Sequence, residues 1–387
     1  MAETRPAWIL PAIVVGQWLV TSLWFAANGV MGSLQDLWGI AGGEGLVTTA
    51  VQLGFITGTL VFALGGIADR FHPGNVFCLS ACLGALANAV VLLLPSSLPF
   101  VLAARFAVGF SLAGVYPVGM KIAAGWYEGG LGRALGFLVG ALVLGTASPH
   151  LLRAVGVDWD WRLLLLATSA AAVAGGLLVQ RVPEGPYLRR GAPVRFQGVV
   201  AAFADRRFRA SVCGYFGHMW ELYAFWAFLP VWIAAHGIVA AERSLLAFAT
   251  IAVGALGCAV GGLWVRRFGG GRVALAQLGV SGLCCLLSPV MFFAPTPLFV
   301  AFLLLWGITV VGDSPQFSAL TAGFAPRALV GSALTLANSI GFAITIASLA
   351  LLERLQFVLP PAWLLVPLAI GPLFGLLVGR PLLQSHG

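Results

Sequence analysis

The chain has 387 residues, 60% of them hydrophobic and only 9% charged, with a mean hydropathy of +0.98. Soluble globular domains carry about 25% charged residues, so a soluble fold is excluded. A membrane β-barrel would show alternating segments of ~10 residues, and the apolar runs here are continuous and about twice that length. The net charge of +8 has a plain cause in the Lys/Arg bias of cytoplasmic loops, and no nucleic-acid partner is expected.

Twelve apolar runs follow one another, at about 7–31, 46–68, 75–95, 98–120, 132–152, 161–180, 210–234, 244–265, 273–294, 297–319, 328–352 and 362–380. An α-helix of ~20 residues crosses the ~30 Å hydrocarbon layer, so the expected fold is an all-α membrane protein of twelve transmembrane helices. The first run exceeds the ~7–15 residues of a signal-peptide core and reads as a membrane span. Turn and charge signals such as DRFHPGN, GVDWDW, RRFGGGR and LPP separate the runs. With both termini inside, sixteen Lys and Arg fall on the inner side and four on the outer, with Arg105 within a span. That bias predicts cytoplasmic termini and a multi-pass protein of the cytoplasmic (inner) membrane, its surface against the lipid bilayer.

The longest polar stretch, RVPEGPYLRRGAPVRFQGVVAAFADRRFR, divides the runs six and six. It predicts an N-terminal six-helix bundle over 1–182, a basic cytoplasmic linker over 183–209 lying on anionic headgroups, and a C-terminal six-helix bundle over 210–387. The halves read as pseudo-symmetric copies. GGIADRF echoes GLWVRRF, LGRALGFLVGALVLGT echoes VGSALTLANSIGFAIT, and Tyr116-Pro117 echoes Ser314-Pro315, all at an offset of 197 to 199 residues. Repeated halves flanking a midplane site are a transporter signature.

Intramembrane polar residues are costly and mark candidate sites. Span 7 carries His218 and Glu221 near its middle, three apart on one helix face. A carboxyl at this depth is a candidate to bind and release a proton, and a neighbouring imidazole can share it. A static pair locking two helices is the alternative. Asp313, beside Pro315 in span 10, is the second intramembrane acid, suited to proton carriage or to a gate. Spaced glycines, Gly54-x3-Gly58 in span 2 and Gly136-x3-Gly140 in span 5, predict close helix packing. All six cysteines (Cys78, Cys82, Cys213, Cys258, Cys284 and Cys285) sit in apolar runs as small core residues. No metal or disulfide framework is expected. With no P-loop and no dinucleotide fingerprint, no cofactor is expected, nor an enzyme.

Gly65-Gly66-Ile67-Ala68-Asp69-Arg70-Phe71 after span 2 resembles the loop signature G-x-L-A-D-R-x-G-R-K of the major facilitator superfamily. It departs at the basic end, where His72-Pro73-Gly74-Asn75 stands. Arg105-Phe106-Ala107-Val108-Gly109 resembles that family's R-x-x-x-G element of span 4. SLWFAANGV in span 1 and GHMWELY in span 7 resemble a sparsely described bacterial branch grouped with cyanate- and nitrate-type permeases. The resemblance implies a monomeric secondary transporter with Gly65, Gly66, Asp69 and Arg70 as a gating motif. It also implies that spans 1, 4, 7 and 10 surround a cavity. Gln17, Trp24, Asn28, Tyr116, Tyr215, Trp306 and Gln316 would line it, with Asn338 of span 11 a further contact. Proton-coupling candidates are Glu221, His218, Asp313 and Arg105, the last either facing the cavity or snorkelling outward. The expected partners are a small polar or anionic substrate and protons. Efflux of amphipathic compounds is the alternative, since the G-P-x-x-G-G element of drug–proton antiporters is missing from span 5 while span 7 is rich in aromatics. A non-transporting receptor on the same fold is the remote third, because the loops are too short to offer a signalling surface.

Overall fold

The computed structural model describes residues 6–127, 131–156, 159–188, 196–326 and 329–383. The described residues are helices joined by short turns, without strands. Ten helices are long and apolar enough to cross a membrane, from Glu44–Gly65 to Pro361–Leu383. The remaining two of the twelve are spans 1 and 7. Span 1 is a 13-residue apolar helix, Ile9–Thr21, followed by the short helices Ala26–Gly29 and Met31–Trp38. Span 7, Arg206–Ala235, is 30 residues long, and its Trp, Tyr, His and Glu residues lower its hydropathy.

Several expected spans are interrupted rather than continuous, among them spans 1, 4, 8, 10 and 12. In span 1 the hydroxyls of Thr21 and Ser22 donate back to the carbonyls of Gln17 and Leu19, which competes with helix propagation. Spans 4 and 10 break at matching places, before Tyr116–Trp126 and before Ser314–Phe324. Each second piece starts with a proline at its second position, where the missing N–H costs nothing. Span 7 starts four residues earlier than its apolar run, because Asp205 accepts from the amides of Arg207 and Phe208 at 2.8 Å and caps the helix. Within the linker, Phe196–Ala202 forms a short helix, and residues 189–195 lie outside the described residues.

Pseudo-symmetry appears in the backbone crossings. A Cβ on Gly109 would lie 1.9 Å from the Val51 carbonyl oxygen, and one on Gly307 would lie 1.9 Å from the Thr250 carbonyl oxygen. Spans 2 and 4, and spans 8 and 10, therefore cross backbone to backbone, at positions 198 residues apart. Spans 1 and 6 meet likewise at Gly16 and Gly175, and spans 7 and 12 at Gly217 and Gly371. Without a hydrophobic drive inside lipid, such close small-residue packing is what holds helices together.

Candidate functional site

The intramembrane acids lie inside the C-terminal half. Glu221 is wholly buried. Its Oε2 accepts from Ser281 Oγ at 2.9 Å and from Cys285 Sγ at 3.5 Å, both on span 9. Its Oε1 has no partner among the described residues. His218 is wholly buried as well, with Nδ1 2.8 Å from Asp313 Oδ1 at the break of span 10. The imidazole thus pairs with Asp313, and Glu221 with span 9, in place of the His218–Glu221 proton sharing that their spacing suggested. Tyr215, one turn before His218, lies tilted against its ring at 5.8 Å.

Two residues along a helix differ by about 200°. Tyr223 accordingly points away from Glu221 and reaches the other half. Its ring stacks on Trp24 of span 1 at 5.5 Å and meets Phe342 of span 11 at 5.3 Å. Phe55 of span 2 packs on both Trp24 and Phe342, at 4.9 and 4.6 Å. On the far side Phe25 meets Trp226 edge-on. These rings close the middle of the molecule where the halves meet. Trp306 is wholly buried within the C-terminal half, stacked on Phe225 at 4.4 Å, and does not line that junction.

Arg105 neither snorkels nor faces open space. It is wholly buried. Its guanidinium donates to Asn88 Oδ1 at 2.8 Å and to the carbonyls of Leu23 and Trp24 at 2.6 and 2.8 Å. The break in span 1 frees those carbonyls, and a planar fork of donors suits them. Asn88 in turn donates to Leu165, Thr168 and Ser169 of span 6. The network ties spans 1, 3, 4 and 6 into one polar knot.

Residues 13–349 match the family described as Major Facilitator Superfamily. The chain belongs to that superfamily. A stretch of 151 residues is 33% identical to the niacin transporter NiaP of Acinetobacter baylyi, covering 36% of this chain and 32% of that protein. The chain thus spans about a third of that relative's length. In fold it is similar to a D-xylose-proton symporter, with TM-score 0.78, 14% identity and 97% of each chain covered. It is also similar to the E. coli xylose transporter XylE in a partially occluded inward-open conformation (TM-score 0.74, 13% identity, 96% of this chain and 95% of that one). A point mutant of the nucleoside transporter NupG has TM-score 0.72 and 13% identity, with 97% of this chain and 98% of that one covered. The similar proteins are transporters, and the chain is a multi-pass membrane protein of the Major Facilitator Superfamily.

The loop that resembles the superfamily signature is built around Gly66, whose φ of 58° caps span 2 in the left-handed region where glycine is favoured. Asp69 pairs with Lys121 Nζ, which also donates to the Ala68 carbonyl. Arg70 is exposed. Lys121, in the second piece of span 4, is a partner of Asp69 that the loop motif alone did not reveal.

The other candidates scatter. Gln17 is wholly buried with both amide atoms unpartnered, its Oε1 facing Gly119 of span 4. Gln316 lies against Gly261 of span 8. Tyr116 and Asn338 are half-buried. Asn28 donates to Thr48 at 3.0 Å and lines a cavity at the end of the halves opposite the Gly65–Arg70 loop. Sequence reasoning missed Ser281, Cys285 and Asn88, which look like ordinary small or packing residues. It also missed Glu353, whose carboxylate accepts from the amides of Gly43 and Gly45 at 2.5 and 2.7 Å. That contact joins span 11 of one half to the start of span 2 in the other.

Proposed function

We propose that this protein is a proton-coupled carrier that moves a small polar or anionic solute across the cytoplasmic membrane by alternating access. The observation that carries the reading is the placement of Glu221, His218 and Asp313, all wholly buried in one half. Glu221 holds one unpartnered oxygen, and Asp313 sits at a helix break. Ionisable groups at this depth are costly and are retained where protons or ions pass. In this reading the bundles 1–182 and 210–387 rock against each other, joined by 183–209, with both termini cytoplasmic. The aromatic junction of Trp24, Phe55, Tyr223 and Phe342 is the barrier that opens. The names of the similar proteins support a small polar solute: niacin, xylose, nucleosides.

Glu221→Gln tests it. In proteoliposomes the variant loses uphill accumulation driven by a pH gradient yet keeps exchange of labelled for unlabelled solute. Undiminished uphill transport by Glu221→Gln would refute proton coupling through this residue. A second reading, export of amphipathic compounds, is favoured by the same aromatic junction. It predicts resistance to lipophilic toxins on overexpression, and an unchanged toxin panel counts against it.

A further inference from the structure

A cavity of about 410 Å³ lies where the two halves meet, at the end opposite the Gly65–Arg70 loop. It stands apart from the Glu221 cluster. Asn28, Glu44, His150 and Arg153 line it from the first half, Arg243 and Ser244 from the second. Three of these side chains are more than nine-tenths buried and each keeps an unpartnered polar atom: Asn28 Oδ1, Glu44 Oε2 and His150 Nε2. Asn28 and Glu44 have already spent their other atoms. Asn28 donates to Thr48, and Glu44 Oε1 accepts from Gln35 at 2.8 Å. What remains on that side is a pair of acceptors, one of them a carboxylate oxygen.

Arg153 and Arg243 supply the opposite chemistry, and they come from different halves. Buried polar atoms left without partners cost free energy, and a cavity lined both by such acceptors and by two guanidinium groups, of which that of Arg153 also donates to the Trp159 carbonyl at 3.5 Å, is complementary to a dipolar guest. We propose that this cavity is a binding site for a small zwitterionic solute, its carboxylate held by Arg153 and Arg243 and its ammonium by Glu44 and Asn28. Because the arginines belong to opposite halves, a bound guest bridges them and favours the arrangement in which this end is closed. Its use in passage rests on the carrier reading, while binding itself does not.

The test is calorimetric titration of the purified protein with γ-aminobutyrate, beside butyrate and butylamine, each of which keeps only one charged end. γ-Aminobutyrate is expected to bind at millimolar concentration, and each one-ended analogue at least about tenfold more weakly. Arg153→Gln and Arg243→Gln are each expected to weaken γ-aminobutyrate about tenfold, and Glu44→Gln to erase its advantage over butyrate. Gly32→Leu keeps the proposal falsifiable if a charge variant misfolds. Gly32 lines the cavity, and a Cβ added there meets nothing within 4 Å, so the leucine fills the space without straining the helix and should abolish binding. Glu221→Gln is expected to bind γ-aminobutyrate as the parent does. Loss of uphill transport in that variant therefore reports on the carrier reading alone. Absence of γ-aminobutyrate binding to the parent overturns the proposal. So does equal binding of butyrate, or binding that survives both arginine variants and Gly32→Leu.

Discussion

Glu353 fastens the two halves at one end, and its removal has a calculable effect. The carboxylate accepts from the amides of Gly43 and Gly45 at 2.5 and 2.7 Å. Those amides flank the first residue of the helix Glu44–Gly65, where N–H groups have no intrahelical acceptor and the helix dipole favours negative charge. A hydrogen bond to a charged group contributes about 1.5–3 kcal/mol, and the dipole adds roughly 0.3–1 kcal/mol. Glu353→Gln keeps one acceptor oxygen and loses the charge, so closure of this end should weaken by about 2 kcal/mol. At 1.4 kcal/mol per factor of ten, that is roughly a 30-fold rise in the local opening constant. Amide hydrogen exchange reads it directly, because the amides of Gly43 and Gly45 are the donors. Peptides covering 40–48 are expected to exchange about 30-fold faster in Glu353→Gln and faster still in Glu353→Ala, while those in Trp161–Gln180 stay unchanged. Exchange within about twofold of the parent in both variants would refute the reasoning, since opening would then not depend on this contact.

Gly109→Ala is expected to lower the melting midpoint by several degrees, because its Cβ would meet the Val51 carbonyl oxygen at 1.9 Å and overpacking costs about 1–3 kcal/mol. Gly307→Ala should match it, and Gly136→Ala, whose Cβ meets nothing within 4 Å, should be near neutral. Asn88→Val removes an acceptor from the buried Arg105 and should cost about 3 kcal/mol. The midpoint is expected to fall far more than for Asn75→Val at an exposed site. Lys121→Met takes away the ammonium shared by Asp69 and the Ala68 carbonyl and should speed amide exchange in residues 66–72 by roughly fivefold, about 1 kcal/mol, with little change in global stability.

The helical span layout was legible because a bilayer imposes it: the apolar length of each run is dictated by the solvent, not by side-chain contacts. Spans 4 and 10 were expected to be continuous, although Pro117 and Pro315, 198 residues apart, stand where both break. The pairings were not legible. Arg105 is satisfied by the carbonyls of Leu23 and Trp24, and Glu353 by two amides. Backbone groups carry no letter in a sequence. The spacing of His218 and Glu221 located both on span 7, yet which neighbour each meets depends on rotations of spans 9 and 10 that no local pattern encodes. Ser281, Cys285 and Asp313 decide that pairing. Arg105 shows the same limit from the other side: its motif drew attention to an intramembrane cation, while the kink whose carbonyls it satisfies in span 1 had no separate sequence signal strong enough to predict it.

The contacts within each half and those between the halves differ in kind. Inside a half, backbone crosses backbone at Gly109 or Gly307, and buried polar groups are tied by short hydrogen bonds, as in the Arg105–Asn88 knot. Between the halves, the middle is closed by ring faces such as Trp24 on Tyr223, and one end by the Glu353 carboxylate on two amides. Ring faces part without leaving unsatisfied polar atoms behind, and a carboxylate near a helix end can be solvated when released. Separating spans 2 and 4 would instead break continuous close packing. The packing of span 2 on span 11 and of span 5 on span 8 also joins the halves, and a rocking motion requires these faces to part at one end or the other. On that division Glu221 sits on the rigid side. In the proposed proton-coupled reading, a proton on it acts on the junction through span 7 itself, on which Tyr223 lies two residues away and on the opposite face.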